Sequence, residues 1–257
     1  MKQIILITDG CSNVGISPVI AAAHAKAEGI VVHVVGIADT GEIGDLGAVE
    51  IHEIAQAGGG ISRLVKPAQL SQTVQMMTRK TVVQTVQQAV GAELRSILGH
   101  DKLEALPPNE RSEVVRVIDD WSEKADLKVA LLIDASASMK PKLQAVKEAI
   151  YDLQLSLQSR AGESLLSVFH FPANLSGDQE VEMDLGWTRD LANLNRLFYK
   201  LNMRGTTPTG PALLKVVHFV AGNTGDTQYG YETKSEVHDI TGLGRSREEG
   251  IWSDYIV

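Results

Sequence analysis

Short β-branched or Leu-rich runs alternate with helical stretches along most of this chain, and that alternation restricts its fold more than any other feature. Runs so continuously apolar belong to a mostly parallel sheet that helices bury on both faces. The strand candidates are Ile4 to Ile7, Val31 to Ile37, Ser62 to Val65, Val129 to Ile133, Leu165 to Phe171 and Val181 to Leu185. Between the first two lies a helix punctuated at both ends. Ser17 stands as its N-cap, Pro18 at the first helical position and Gly29 just past its end.

Apolar positions that step by three or four predict the covering helices. They are Leu143, Val146, Ile150, Leu153 and Leu157; then Leu191, Leu194, Leu197 and Leu201; then Leu213, Leu214, Val217 and Val220, after the loop from Gly205 to Pro211. Leu70 to Leu98 reads as one long amphipathic helix, with Leu70, Val74, Met77, Val82, Val86, Ala89, Leu94 and Ile97 as its apolar positions. Another helix begins near Asn109 after Pro107 and Pro108, with Val114, Val117, Ile118 and Trp121 as its buried stripe. Gly58-Gly59-Gly60 ends a helix before the Ser62 strand. The expected organisation is therefore an α/β half over 1–66, a helical bridge over 67–126, a second α/β half over 127–221 and an irregular tail over 222–257. Residues 67–126 would join the two halves into one three-layer, doubly wound sheet.

Composition excludes several classes of function. With 257 residues, 44% of them hydrophobic, the chain is large enough for a substantial core. A formal charge of −8, with no dense Lys/Arg stretch, argues against a nucleic-acid binder. The lone Cys11 cannot form an internal disulfide and has no resolving partner, so packing is its simplest role. The opening MKQIILITDG is too short for a signal-peptide core, and no run has the length needed to span a bilayer. A cytoplasmic location is expected.

Three loops could carry chemistry. Asp134, Ser136 and Ser138 form D-x-S-x-S directly after the apolar strand ending at Ile133. In open α/β sheets, ligands bind beyond the carboxyl ends of the strands. Taken alone, such a string is more often a turn and N-cap. Gly205 to Gly210 (GTTPTG), before a helix opening at Pro211, supplies hydroxyls, and Ile4 to Ile7 ends in Thr8-Asp9-Gly10, a second strand-end carboxylate. An N-capped loop and an Asp-Gly β-turn would account for each separately. All three at the right ends of the right elements are harder to dismiss. Hydroxyls and two carboxylates suit a hard divalent cation, which takes oxygen ligands in near-octahedral geometry and keeps places for outside oxygens. No nucleophile in the set has a base beside it.

These segments resemble the metal-ion-dependent adhesion site (MIDAS) of von Willebrand factor A (VWA) domains: DASAS, GTTPTGPAL and ILITDG. The likeness extends over most of residues 1–66 and 127–221. It implies a VWA/Rossmann-like fold and a metal site of Asp134, Ser136, Ser138, Thr207 and Asp9, with Thr207 rather than Thr206 as the threonine ligand. It also implies Mg²⁺ or Mn²⁺ as cofactor, no catalysis, and a partner protein that presents an Asp or Glu to the ion. The segment order departs from the family, in which D-x-S-x-S comes first and T-D-G last. The chain therefore looks circularly permuted, either closed on itself or completed between two chains as a swapped dimer. Within the family it is most similar to the YabS-type VWA proteins of endospore-forming bacteria.

The competing reading is a nucleotide-dependent enzyme. Thr8 to Ile16 has a superficial likeness to the T-G-x-x-x-G-x-G loop of NAD-dependent short-chain dehydrogenases. Asp9 stands where the first glycine belongs, however, and no Tyr is followed by Lys four positions later. An Asp-x-Asp phosphatase needs an acid where Ser136 stands, and no Walker lysine follows Gly210. His24, His33, His52 and His170 lack helical metal-ligand spacing and are expected to act singly.

Overall fold

The computed structural model describes residues 1–10, 12, 14–38, 45–98, 106–173, 180–190 and 207–222. Cys11, Thr206, the helix expected over 191–201 and the tail beyond 222 lie outside the described residues. Six strands form one sheet: β1 (Lys2–Thr8), β2 (Ile30–Ile37), β3 (Gly59–Val65), β4 (Leu127–Asp134), β5 (Ser164–Phe171) and β6 (Glu182–Thr188), in the order β3-β2-β1-β4-β5-β6. The first five strands are parallel, and β6 pairs antiparallel with β5. The fold is α/β and Rossmann-like.

Parallel neighbours need crossover connections, and helices supply them. The described helices are α1 (Pro18–Ala27), α2 (Asp45–Ala57), α3 (Leu70–Leu98), α4 (Pro108–Lys124), α5 (Leu143–Gln158) and α6 (Thr209–Ala221). Side chains alternate across the pleat. Ile4, Leu6, Ala130 and Leu132 therefore meet α1, α2 and α6 on one face. Ile5, Ile7, Leu131 and Ile133 meet α3 and α5 on the other. At roughly 1.5–3 kcal/mol for each fully buried large aliphatic side chain, the central pair β1 and β4 anchors both layers.

The segment between the α/β halves both connects them and covers the sheet. Leu70, Val74, Met77 and Val82 of α3 pack on the sheet beside α5. Farther along α3, Val86 and Val90 pack against Ile118 of α4. No described helix is long and apolar enough to cross a membrane.

Several expectations need correction. On α4, Ile118 is buried and Val114 half-buried, but Val117 and Trp121 are 41% and 53% exposed. Val114 and Ile118 pack against Val86 and Val90 of α3, and the line of fours they start runs on to Ser122. The small Ser122, buried at 5% exposure, completes that line where bulk had pointed to Trp121. On α3, Ala89 is exposed and Val90 takes the core position. β6 begins after Val181 and continues to Thr188, because cross-strand pairing with Leu166 extends it past the apolar run. α2 ends at Ala57, and Gly59, with φ +67°, already begins β3. Ser17 does occupy the N-cap of α1, where its carbonyl accepts from Ile20 and Ala21 without a side-chain cap bond.

Candidate metal centre

The sheet order makes a crevice where the carboxylates lie. From β1 the chain proceeds toward β2 and β3, and from β4 toward β5 and β6, so the loops after these adjacent strands diverge. That divergence is the switch point at which open α/β sheets bind ligands. The parallel register from Lys2↔Lys128 to Ile7↔Ile133 brings the ends of both strands to the same edge. Asp9 follows β1 directly, and Asp134 is the last residue of β4.

Asp134 is fully buried. Its Oδ2 accepts from the Thr8 hydroxyl at 2.7 Å and its Oδ1 from the Ser136 N–H at 2.8 Å. Burial pushes the Asp134 carboxyl pKa up, while the hydrogen bonds from Ser136 and Thr8 pull it back. The chain continues through hydroxyls: Ser136 Oγ lies 3.1 Å from Ser138 Oγ, which donates to Asp9 Oδ1 at 2.8 Å. A 3₁₀ segment, Ala137–Lys142, then returns Lys142 to the same place. Its Nζ donates to Asp9 Oδ2 at 2.6 Å, with the two side chains only 9% and 3% exposed.

The threonine loop arrives from α6. Thr207 is buried, and its carbonyl oxygen accepts from the Ser12 hydroxyl at 3.4 Å and from the Thr209 N–H at 2.9 Å. Ser12 is fixed in turn by its N–H, which donates to Glu50 Oε2 at 2.8 Å. Gly210 packs so tightly on the segment leading into α1 that a Cβ there would stand 1.8 Å from the Ile16 carbonyl oxygen. The structure thus joins Asp134, Ser136, Ser138 and Asp9 in one hydrogen-bonded chain. It joins Thr207 to the loop after β1 through its backbone.

This donor set fits a hard cation. Two neighbouring oxygens on an octahedral ion at about 2.1 Å lie about 3.0 Å apart. The Ser136 and Ser138 hydroxyls are 3.1 Å apart. Among the described residues, no group of three or more His, Cys, Asp or Glu side chains is placed to hold a metal. The site is instead hydroxyl-rich, with two carboxylates, a composition suited to Mg²⁺ or Mn²⁺ rather than to a softer ion.

No protein-family model matches the chain. YabS of Bacillus subtilis (strain 168), described as an uncharacterized protein, is 48% identical over 209 residues, which cover 81% of this chain and 84% of that one. The chain belongs to the YabS family. A crystal structure of an uncharacterized protein from Alicyclobacillus acidocaldarius subsp. acidocaldarius DSM 446 superposes with a TM-score of 0.80 at 41% identity. That match covers 87% of this chain and 94% of the other, so this YabS-family fold is shared by an experimentally solved relative.

Two residues of this hydrogen-bonded cluster carry no clear mark in the sequence, Thr8 and Lys142. Thr8 stands inside the T-D-G string as a strand residue whose hydroxyl accepts locally from the Gly10 N–H at 3.3 Å, and its bond to Asp134 appears only once β1 lies beside β4. Lys142 has one available signal, its spacing of four from Ser138. His24, expected to act singly, packs edge-to-face on His218, with the ring centroids 5.7 Å apart. His33 is buried; its Nδ1 accepts from the Ile61 N–H at 3.0 Å, and burial lowers its pKa to about 4. His170 Nδ1 meets Asp184 Oδ2 at 2.7 Å on the β5–β6 pair. Burial raises the Asp184 pKa, against the pull of His170.

Proposed function

We propose that this YabS-family protein is a non-enzymatic, divalent-metal-dependent protein–protein interaction module, a circularly permuted VWA domain with a MIDAS-type site. Asp134, Ser136, Ser138, Thr207 and Asp9 would hold Mg²⁺ or Mn²⁺. When bound, the ion supplies a Lewis-acidic position for an Asp or Glu carboxylate of a partner protein. One observation carries the reading: strand ends from opposite halves of the chain deliver Asp9 and Asp134 to a single hydrogen-bonded cluster with Ser136 and Ser138.

The permutation draws support from the same place. β1, which precedes T-D-G, lies beside β4, which precedes D-x-S-x-S, so moving T-D-G to the N-terminus leaves the two strands neighbours. Light scattering distinguishes the closed form from the exchanged dimer.

The chain's own residues position and neutralise; they do not attack. Thr8 and the Ser136 N–H orient Asp134, while Ser138 and Lys142 orient Asp9. The test is a pull-down repeated in EDTA, together with calorimetry of Mg²⁺ and Mn²⁺. Asp134→Ala and Asp9→Ala should each abolish or greatly weaken metal binding and release the metal-dependent partner. Metal affinity unchanged in Asp134→Ala sinks the site assignment. Affinity unchanged in Asp9→Ala means the two halves do not share one centre. Saturable binding of NAD(H) would favour the nucleotide-dependent enzyme instead.

A further inference from the structure

We infer that Glu50 is a positioning residue for the metal centre: acting through Ser12, it holds the loop after β1 against the threonine loop and so sets where Thr207 stands relative to Asp9. This role presupposes the metal-centre reading above and concerns what keeps the two sides of that centre in register.

None of the proposed ligands lies on α2, yet α2 reaches the loop that follows Asp9. Glu50, half-buried in the second turn of α2, accepts the Ser12 N–H on Oε2 at 2.8 Å. Ser12 stands three residues after Asp9, and its hydroxyl donates to the Thr207 carbonyl oxygen at 3.4 Å. One serine therefore links α2 to both ligand-bearing loops.

The same stretch is pressed against the start of α6. A Cβ on Gly15, whose φ is +88°, would stand 2.3 Å from Pro211 Cγ, and one on Gly210 would stand 1.8 Å from the Ile16 carbonyl oxygen. Ser12, Gly15 and Ile16 thus meet α6 and the loop before it at three points, and Glu50 ties the first of them to α2. A small octahedral ion demands oxygens at set positions, so ligands carried on separate loops serve it only while those loops are held together. Hydrogen bonds outside the ligand set supply that hold at metal sites. Without Glu50 the Ser12 N–H loses its acceptor, and Ser12 is released from its place beside Thr207. The centre would keep all five ligands and lose their spacing.

Calorimetry of Mn²⁺ on the full chain, with the electron paramagnetic resonance spectrum of the bound ion, tests this. Glu50→Leu keeps the bulk and removes the acceptor, Glu50→Ala removes both, and Glu50→Gln keeps a carbonyl oxygen for the Ser12 N–H without the charge. Mn²⁺ affinity should fall on the order of tenfold to a hundredfold in Glu50→Leu and Glu50→Ala, the cost typical of removing an outer hydrogen bond at a metal site. Glu50→Gln should recover most of the affinity and the wild-type spectrum. Ser12→Ala should weaken binding as well. Combined with Glu50→Leu, it should cost less than the two losses added, because both break one connection. Circular dichroism melts establish which variants are folded, and Ser12→Ala, which leaves α2 intact, decides the question if neither Glu50 truncation folds. Unchanged affinity in the folded truncations or in Ser12→Ala overturns the inference. So do fully additive losses, or a Glu50→Gln protein as weak as Glu50→Leu, which would make charge rather than the hydrogen bond the contribution of Glu50. Asp134→Ala separates the two levels. If it binds Mn²⁺ as well as wild type, the metal centre itself is wrong and this role falls with it; if binding is abolished, the centre stands and the Glu50 and Ser12 variants alone decide.

Discussion

Thr8 and Asp134 stand 126 positions apart, yet the Thr8 hydroxyl donates to Asp134 Oδ2 at 2.7 Å in the buried centre of the sheet. One hydroxyl thus couples the two α/β halves at the atom that most needs a partner, a carboxylate oxygen out of reach of water. Thr8→Val keeps the β-branched shape and removes the donor, leaving that oxygen short of a bond. The expected loss is about 1–3 kcal/mol of stability, read as a lower urea midpoint, together with weaker Mn²⁺ binding. Thr8→Ser should recover most of both. An unchanged midpoint in Thr8→Val would mean that Ser136 alone orients the carboxylate.

Gly210 fixes how the threonine loop meets the rest of the site. A Cβ at this position would stand 1.8 Å from the backbone oxygen of Ile16, an atom that cannot swing aside. Gly210→Ala should therefore push the start of α6 off the segment before α1, costing about 1–3 kcal/mol and loosening Thr207 from Ser12. Gly10→Ala is the matched control, since nothing lies within 4 Å of its Cβ position. Thermal melts of both variants should show a clear drop for the first and little change for the second.

How much of the molecule is legible in its sequence depends on how local each signal is. β1 and β4 are legible because strands covered on both faces must be apolar at every position, so Ile4 to Ile7 and Val129 to Ile133 announce themselves. Asp9, Asp134, Ser136 and Ser138 are legible because polar strings directly after such strands stand out at their carboxyl ends, where open α/β sheets gather their binding loops. Thr8 and Lys142 act through atoms more than a hundred positions away, and no local pattern encodes that contact. On α4, hydrophobic bulk points to Trp121, but Trp121 is exposed and its neighbour Ser122 is the buried residue. The far end of β6 is set by pairing with β5 rather than by its own side chains, which after the exposed Glu182 are only partly buried.

His33 makes the fold sensitive to acid. It lies fully buried between β3 and α3, with Nδ1 accepting from the Ile61 N–H and Nε2 3.0 Å from the Thr81 hydroxyl. Because Nδ1 accepts, the proton of the neutral ring sits on Nε2. Burial lowers the folded-state pKa to about 4, from an unfolded value near 6.5. Between those values the unfolded chain binds the extra proton and the folded chain does not, so stability falls as pH drops from 6.5 toward 4. The full effect of this one group is about 3 kcal/mol. Urea midpoints measured across that range should decline for the wild type and decline less for His33→Gln. Parallel curves for the two proteins would assign the acid sensitivity to other groups.

Arg160 holds the end of the helical segment to the sheet. Its Nη2 donates to the carbonyls of Ser122 and Ala125, at 2.8 and 2.7 Å, and its Nε to the Ser164 hydroxyl at 3.1 Å. The first two acceptors are at the C-terminal end of α4, where carbonyls lack intrahelical partners and the helix dipole favours a cation. The third opens β5, so a single guanidinium ties α4 to the strand beside β4. Arg160→Met keeps most of the stem and removes all three bonds; about 1.5–3 kcal/mol of stability should go with them. Hydrogen exchange should accelerate over the last turn of α4 while the amides of β1 remain protected. Arg160→Lys should rescue only part of the loss, because one ammonium cannot reach the Ser122 and Ala125 carbonyls and the Ser164 hydroxyl with the fork geometry they require. Full rescue by lysine would reduce the role of Arg160 to its charge at the helix end.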